Sequence, residues 1–249
     1  NILKNNKMVI LKLLNKDSMN IDLNNIFQYI ISNGNIEIYE VIKEKYPYFK
    51  MPIKYIHDLI KNEKFHIFEK IINNFNKNEL EENKEEYLIN ISKYGNINFL
   101  IWYFSYFKDN ISSINIEKSF YILIKHGYFS QAIYVYELFE GKNDEINIYK
   151  KNFELLLFII KQNNLDMVKW FFDKMDLQNK IKFSIYFEYY HYTHNIIEND
   201  NVDILDYIYK LYQIKDKIII KKAINIASRK NKIKCLNYLF KLYNIGENT

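Results

Sequence analysis

A turn signal that recurs about every 32 residues constrains this chain more than any other feature of its sequence. Gly34, Gly95 and Gly127 each follow one apolar helical stretch and precede another. Asn163, Asp200 and Asn231 hold the same slot elsewhere, and Asn62–Glu63 fills it once more. After the slot comes a recurring phrase, seen as Ile97-Asn-Phe-Leu-Ile-Trp-Tyr-Phe, Leu165-Asp-Met-Val-Lys-Trp-Phe-Phe, Val202-Asp-Ile-Leu-Asp-Tyr-Ile-Tyr and Ile233-Lys-Cys-Leu-Asn-Tyr-Leu-Phe. The first apolar residues after each slot are Met8, Ile36, Phe65, Ile97, Phe129, Leu165, Val202 and Ile233, spaced by 28, 29, 32, 32, 36, 37 and 31 residues. A period of this size belongs to a stack of small units rather than to a globule with one pocket.

Apolar residues on both sides of the slot keep helical spacing with a wide buried stripe. Each unit therefore reads helix, tight turn, helix, with the Gly or Asn as the left-handed cap of the first helix. The linkers are polar: Asn76–Glu86, Asp109–Asn115, Gly141–Ile146 and Gln213–Lys217. Pro47 stops a second helix, and Pro52 is expected at the first position of the next first helix. No run alternates with period 2. The chain reads as a single array over 1–249, with units near 1–17 (partial), 18–48, 49–77, 82–109, 114–142, 148–176, 180–214 and 215–245.

Composition supports a continuous core, since 49% of the residues are hydrophobic. Asn, Ile, Lys and Tyr are overused, which reads as AT-biased coding and weakens any argument from the net charge of +5. Arg229 is the one arginine. Lysine thus carries the positive charge, whereas bidentate phosphate or guanine recognition favours arginine, so a nucleic-acid reader is disfavoured. The one cysteine, Cys235, cannot form an internal disulfide, and an intracellular, cytoplasmic setting is the expectation. The longest apolar run, Leu155–Ile160, is too short for a bilayer span, so no membrane insertion is expected. Residues 1–14 lack the pattern of a signal peptide. The chain begins at Asn1 rather than Met, as a piece of a longer protein would.

The units resemble divergent ankyrin repeats. Ile224-Asn-Ile-Ala-Ser-Arg-Lys-Asn-Lys-Ile-Lys-Cys-Leu-Asn-Tyr-Leu-Phe and Leu88-Ile-Asn-Ile-Ser-Lys-Tyr-Gly-Asn-Ile-Asn-Phe-Leu-Ile-Trp-Tyr-Phe follow that family's core phrase position by position. The likeness runs from about Lys4 to Tyr243, and the mean spacing is close to the family's 33. No unit carries the family's Thr-Pro-Leu-His stretch, and its Gly-His pair is here mostly Gly-Asn or Asn-Asn. The alanine pair survives only as Ala227-Ser228, and the linkers lack the Asp-Gly turn of the family's β-hairpins. The resemblance implies an all-α, ankyrin-like helical repeat solenoid of about eight helix-turn-helix units, with another α-solenoid as the alternative. It also implies a scaffold for protein–protein interaction that binds through its concave face.

Catalytic and metal chemistry find little support. His191 and His194 have i, i+3 spacing, but a zinc site needs further ligands, and Glu188 and Glu198 are the only carboxylates near in sequence. Cys235 aligns with Phe99, Met167 and Ile204 on the buried stripe, where a thiol acts as a small hydrophobe. Trp102, Tyr134, Trp170, Tyr207 and Tyr238 all fall at offset 5 of the second helix. A base-stacking ladder would need them exposed, so packing between units is the simpler reading. The Asn-Ile-Ser sequons at Asn90 and Asn110 read as chance in so Asn-rich a chain. The run Asn78–Glu86 reads as a solvated linker.

One row of residues remains. Two positions before the slot stand Lys61, Lys93, Lys125, Lys161, Glu198 and Arg229, with Tyr94, His126 and Lys230 one position later. A cation in the last turn complements the helix dipole, and the resemblance implies that these positions line the binding face. The expected protein is no enzyme and needs no cofactor or metal. Its expected partner is another protein presenting an acidic surface, and a nucleic-acid binder using the lysine ladder is the alternative.

Overall fold

The computed structural model describes residues 23–47, 50–107, 111–140, 146–148, 150–188 and 191–245; for 23, 150–153, 184–188, 191 and 245 it describes the backbone alone. Every described secondary-structure element is helical. None of these helices is long and apolar enough to cross a membrane. The partial unit near 1–17, the sequon at Asn110 and most of the Gly141–Ile146 linker lie outside the described residues. The chain divides into two compact bodies, 1–123 and 124–249.

In the N-terminal body, α1 (Leu23–Asn33) pairs with α2 (Ile36–Lys45), and α3 (Tyr55–Lys61) with α4 (Phe65–Ile71). After α4 come a 3-10 turn (Ile72–Asn74) and the short α5 (Lys77–Glu81); α6 (Lys84–Tyr94) then pairs with α7 (Ile97–Phe107). The first helices of successive pairs also meet, α1 on α3 and α3 on α6. The boundary between the bodies falls inside α8 (Ser113–Lys125).

The C-terminal body continues with α9 (Phe129–Phe139), α10 (Lys150–Lys161), α11 (Leu165–Asp173), α12 (Leu177–Glu188), α13 (His191–Glu198), α14 (Val202–Leu211), α15 (Lys217–Arg229) and α16 (Ile233–Ile245). The pairs are α10 with α11, α13 with α14 and α15 with α16. The first helices α10, α13 and α15 form one layer, and the second helices α11, α14 and α16 form another. Helix α12 leans on α13.

All the turns anticipated from the slot are present. Gly34, Glu63, Gly95, Gly127, Asn163, Asp200 and Asn231 have φ between +52° and +80°. At Glu63, Asp200 and Asn231 the chain closes with paired bonds of the Schellman type. Glu63 N donates to Ile60 O at 3.1 Å and Lys64 N to Leu59 O at 2.9 Å; Asn231 N donates to Ser228 O at 3.1 Å and Lys232 N to Ala227 O at 2.8 Å. The Asn that follows the slot then caps the second helix. Asn164 accepts from Met167 N at 2.8 Å and Asn201 from Ile204 N at 2.9 Å.

Three sequence expectations need correction. The linker Asn76–Glu86 is not a loop: it holds α5 and the start of α6. Asn76 and Glu79 form a capping box that nucleates α5, and Leu80 anchors it in the core. The unit near 180–214 gains an extra helix, α12, whose Phe183 is fully buried. Pro52 lies ahead of α3 rather than at its first position, in a turn where its carbonyl accepts from Tyr55 N at 3.1 Å.

Candidate interaction surface

The seams between successive helix pairs decide which side chains are left for a partner. Within each body these seams are bridged by side-chain hydrogen bonds that join residues about one repeat apart. In the N-terminal body Tyr55 Oη donates to Asn24 Oδ1 at 3.0 Å, 31 residues away, and Asn90 Nδ2 meets His57 Nδ1 at 2.9 Å, 33 away. Ser92 and Ser119 meet hydroxyl to hydroxyl at 2.6 Å, both buried; Ser92 Oγ donates to Leu88 O, so Ser119 Oγ donates to Ser92. In the C-terminal body Asn199 Nδ2 donates to Ile160 O at 3.0 Å, 39 residues away, and Cys235 N donates to Asp200 Oδ1 at 3.0 Å, 35 away. Asn201 Nδ2 also donates to the Asn163 side chain.

Aromatic rungs bridge the second-helix layer of the C-terminal body. The ring at offset 7 of one second helix meets the ring at offset 5 of the next. Tyr136 lies edge-on to Trp170 at 5.0 Å, Phe172 is tilted against Tyr207 at 6.0 Å, and Tyr209 stacks on Tyr238 at 6.5 Å. In the N-terminal body Phe68 meets Trp102 edge-on at 4.5 Å. The offset-5 rings are thus packing groups, as expected, but Trp102 and Trp170 are half-buried rather than fully covered. Trp102 also stacks on Tyr106 of its own helix, with ring centres 5.7 Å apart.

Cys235 is fully buried in this layer. Loss of hydration, reinforced by Asp200, pushes its thiol up to about 12, the opposite of what a nucleophile needs. Of the histidine pair, His194 Nδ1 lies 3.8 Å from Glu198 Oε2, while the side chain of His191 is outside the described residues. Among the described residues no three His, Cys, Asp or Glu gather as metal ligands would. Two clefts open on the second-helix layer. One of 470 Å³ lies along α11 and α14 near Lys169 and Asp203; one of 320 Å³ lies between α14 and α16 near Gln213 and Leu242. The Asp206–Lys210 ion pair (2.7 Å) belongs to both, and Tyr238 Oη donates to Asp206 at 3.0 Å, so these polar groups are already satisfied by one another.

The pre-turn row divides in two. At the position next to the slot, side chains are spent on structure. Asn62 Nδ2 donates to Asp58 O at 2.8 Å, Gln162 Nε2 to Lys125 O at 3.2 Å, and Lys230 Nζ to Glu198 Oε1 at 2.9 Å. His126 stacks on Tyr128 at 6.3 Å, and Tyr94 is partly buried. One position earlier, Lys61, Lys93, Lys125, Lys161 and Arg229 are all exposed in the last turn of their helices. Among the described residues, none of these five cations has a hydrogen-bond or ion-pair partner. Glu198 interrupts the row, and the Lys230 ammonium beside it holds its carboxyl below the usual carboxylate value. Sequence reasoning grouped both positions together. The structural work of the second one was legible only as a bias to Asn, Gln and Lys.

Comparison with protein-family models, with curated proteins and with solved structures gave no match to this chain.

Proposed function

We propose that the chain is a non-catalytic, ankyrin-like helical repeat scaffold that binds another protein along the pre-turn row. The observation that carries this reading is a set of five exposed cations, Lys61 and Lys93 in the N-terminal body and Lys125, Lys161 and Arg229 in the C-terminal body, each at the same position of its helix and without a side-chain partner among the described residues. The helix dipole accounts for a favourable ~0.3–1 kcal/mol at each, but it does not require the side chain to stay free of the carboxylates nearby. Within the C-terminal body Lys125 and Lys161 stand on successive first helices. Helix layers sit about 10 Å apart, close to the Debye length of about 8 Å at physiological salt. Neighbouring cations in the row therefore act together on an approaching acidic surface and raise its rate of association. Repeat arrays present extended surfaces of this kind to other proteins.

The test is a capture experiment with the intact chain and with a variant carrying Lys125→Glu, Lys161→Glu and Arg229→Glu. Partners that wild type retains at low salt and releases at high salt should be absent from the variant, and from a Lys125→Gln, Lys161→Gln and Arg229→Gln variant whose thermal midpoint falls only by the lost helix-end interactions. Equal retention by wild type and the variants refutes the reading. Loss of the retained material after nuclease treatment replaces it with nucleic-acid binding, for which a steep salt dependence is the signature.

A further inference from the structure

The last described helix pair differs from all those before it in what covers its outer side. Three positions before the turn slot, Ile31, Ile60, Ser92, Ile124, Ile160 and Ile197 are buried, whereas Ser228 is exposed. Seven before it, Phe27, Ile56, Leu88, Phe120, Leu156 and Thr193 are buried, and Ile224 is only partly so. At offset 7 of the second helix, Phe104, Tyr136, Phe172 and Tyr209 are 1–5% exposed, but Phe240 is 46% exposed. Ile233, Leu236 and Tyr243 extend the strip along α16 at helical spacing, with Ile233 59% exposed.

The rungs show what this strip is built to receive. Tyr136, Phe172 and Tyr209 each meet the offset-5 aromatic of the following helix. Phe240 occupies the same position with no following helix among the described residues. The outer side of α15–α16 carries an apolar strip at helical spacing.

Charge decides among the occupants. Residues 215–245 hold eight lysines and Arg229 against a single carboxylate, Asp216, in a chain whose total net charge is +5. Lys217 and Lys221 lie on the same side of α15 as Ile224 and Ser228, and Lys217 Nζ sits 5.5 Å over the Tyr243 ring, so cations border the strip. A second copy docking end to end would set Lys217 and Lys221 against their own equivalents. Nucleic acid would use the lysines but leave the apolar strip unsatisfied. We propose that the Phe240 face of α15–α16 docks an acidic amphipathic helix of a partner protein. An aromatic of that helix closes on Phe240 as Tyr238 closes on Tyr209, and its carboxylates face Lys217 and Lys221. The proposal rests on the strip and its charge, not on the pre-turn row, so either can fail alone.

The test uses the whole chain and a fluorescent synthetic helix with a Leu/Tyr stripe flanked by Glu, read by anisotropy. The control probes are the same peptide with Lys for Glu, and single- and double-stranded oligonucleotides. The acidic helix should bind and the lysine helix should not. Phe240→Asp and, separately, Lys217→Glu with Lys221→Glu should each weaken binding about tenfold or more, the scale of a buried aromatic anchor or a desolvated charge pair. Lys125→Glu with Lys161→Glu should leave it unchanged. These sites are exposed, so an unaltered thermal midpoint confirms that each variant is folded. Equal binding by the Phe240→Asp variant overturns the proposal. So does tighter binding of an oligonucleotide that ignores Phe240→Asp, or a concentration-dependent dimer that Phe240→Asp abolishes.

Discussion

The two bodies solve the same turn problem with different residues. The N-terminal body places Gly34, Glu63 and Gly95 in the left-handed slot; the C-terminal body opens with Gly127 and then uses Asn163, Asp200 and Asn231. Glycine adopts φ > 0 without a steric cost but has no side chain to offer the seam. Accordingly, the seam at Gly34 is served by its backbone alone, its carbonyl meeting His66 Nε2 at 3.2 Å. Asn163 and Asp200 bear the left-handed strain and return it as seam bonds, from Asn201 and from Cys235 N. The slot is thus bare at Gly34 and a fastener at Asn163 and Asp200, although the backbone is the same.

The largest effect should separate a filled rung from the open one. Phe172→Ala, at a ring that is 1% exposed, should cost about 3–5 kcal/mol in denaturant unfolding. Phe240→Ala should cost about 1 kcal/mol or less. Similar losses at both would mean that Phe240 is covered and that the last pair is no different from the rest.

A smaller effect sharpens the contrast between the bare slot at Gly34 and the fastener at Asp200. Asp200→Gly suits the backbone better yet should lose about 1 kcal/mol, because Cys235 N–H forfeits its acceptor. It should also speed native-state labelling of Cys235. Gly34→Asn should be nearly neutral: a Cβ there meets its nearest atom, on His66, at an ordinary 3.6 Å, and Asn tolerates φ > 0. Stabilisation by Asp200→Gly would show that the fastener does no net work.

Tyr212 offers a gain of similar size. Its hydroxyl is buried with no hydrogen-bond partner among the described residues, its ring lies near Phe172 and Phe183, and burial pushes its pKa up. Tyr212→Phe should stabilise by about 1 kcal/mol, the sign expected when an unsatisfied buried hydroxyl is removed. A loss instead would reveal a partner for the hydroxyl.

The smallest expected effect is acidic. Lys230 holds the Glu198 carboxyl below its usual value of 4.5. A depressed folded pKa gives stability that is present above the unfolded value and lost as pH falls through the folded one. Wild type should therefore lose thermal midpoint more steeply below about pH 4.5 than Glu198→Gln, with parallel curves above it. Parallel curves throughout would mean that the Lys230 contact has no weight in solution.

The repeating phrase made the helix pairs and their turns legible because left-handed caps and apolar stripes are local properties. Phe240, Cys235 and the offset-5 rings could be placed by alignment alone. Helix α5 was hidden because its core holds a single apolar anchor, Leu80, inside a charged run, and its capping box reads as linker composition. The different roles of Lys161 and Gln162 were also hidden. Both are polar and adjacent, and only the path of the neighbouring helix shows that one reaches the backbone of Lys125 while the other reaches water.

The seam bonds within each body join residues only 27 to 39 positions apart, and this bears on how the chain comes undone. With few distant contacts to close, loop entropy is a minor barrier and structure can spread from one pair to the next. Such a molecule opens by peeling rather than all at once, starting where a pair is held from one side only. No described helix covers the outer side of α16, where Phe240 is 46% exposed, so its backbone amides should exchange with deuterium sooner than those of α11 and α14. A partner seated on Phe240 would slow that exchange, acting as a clasp on the pair it covers.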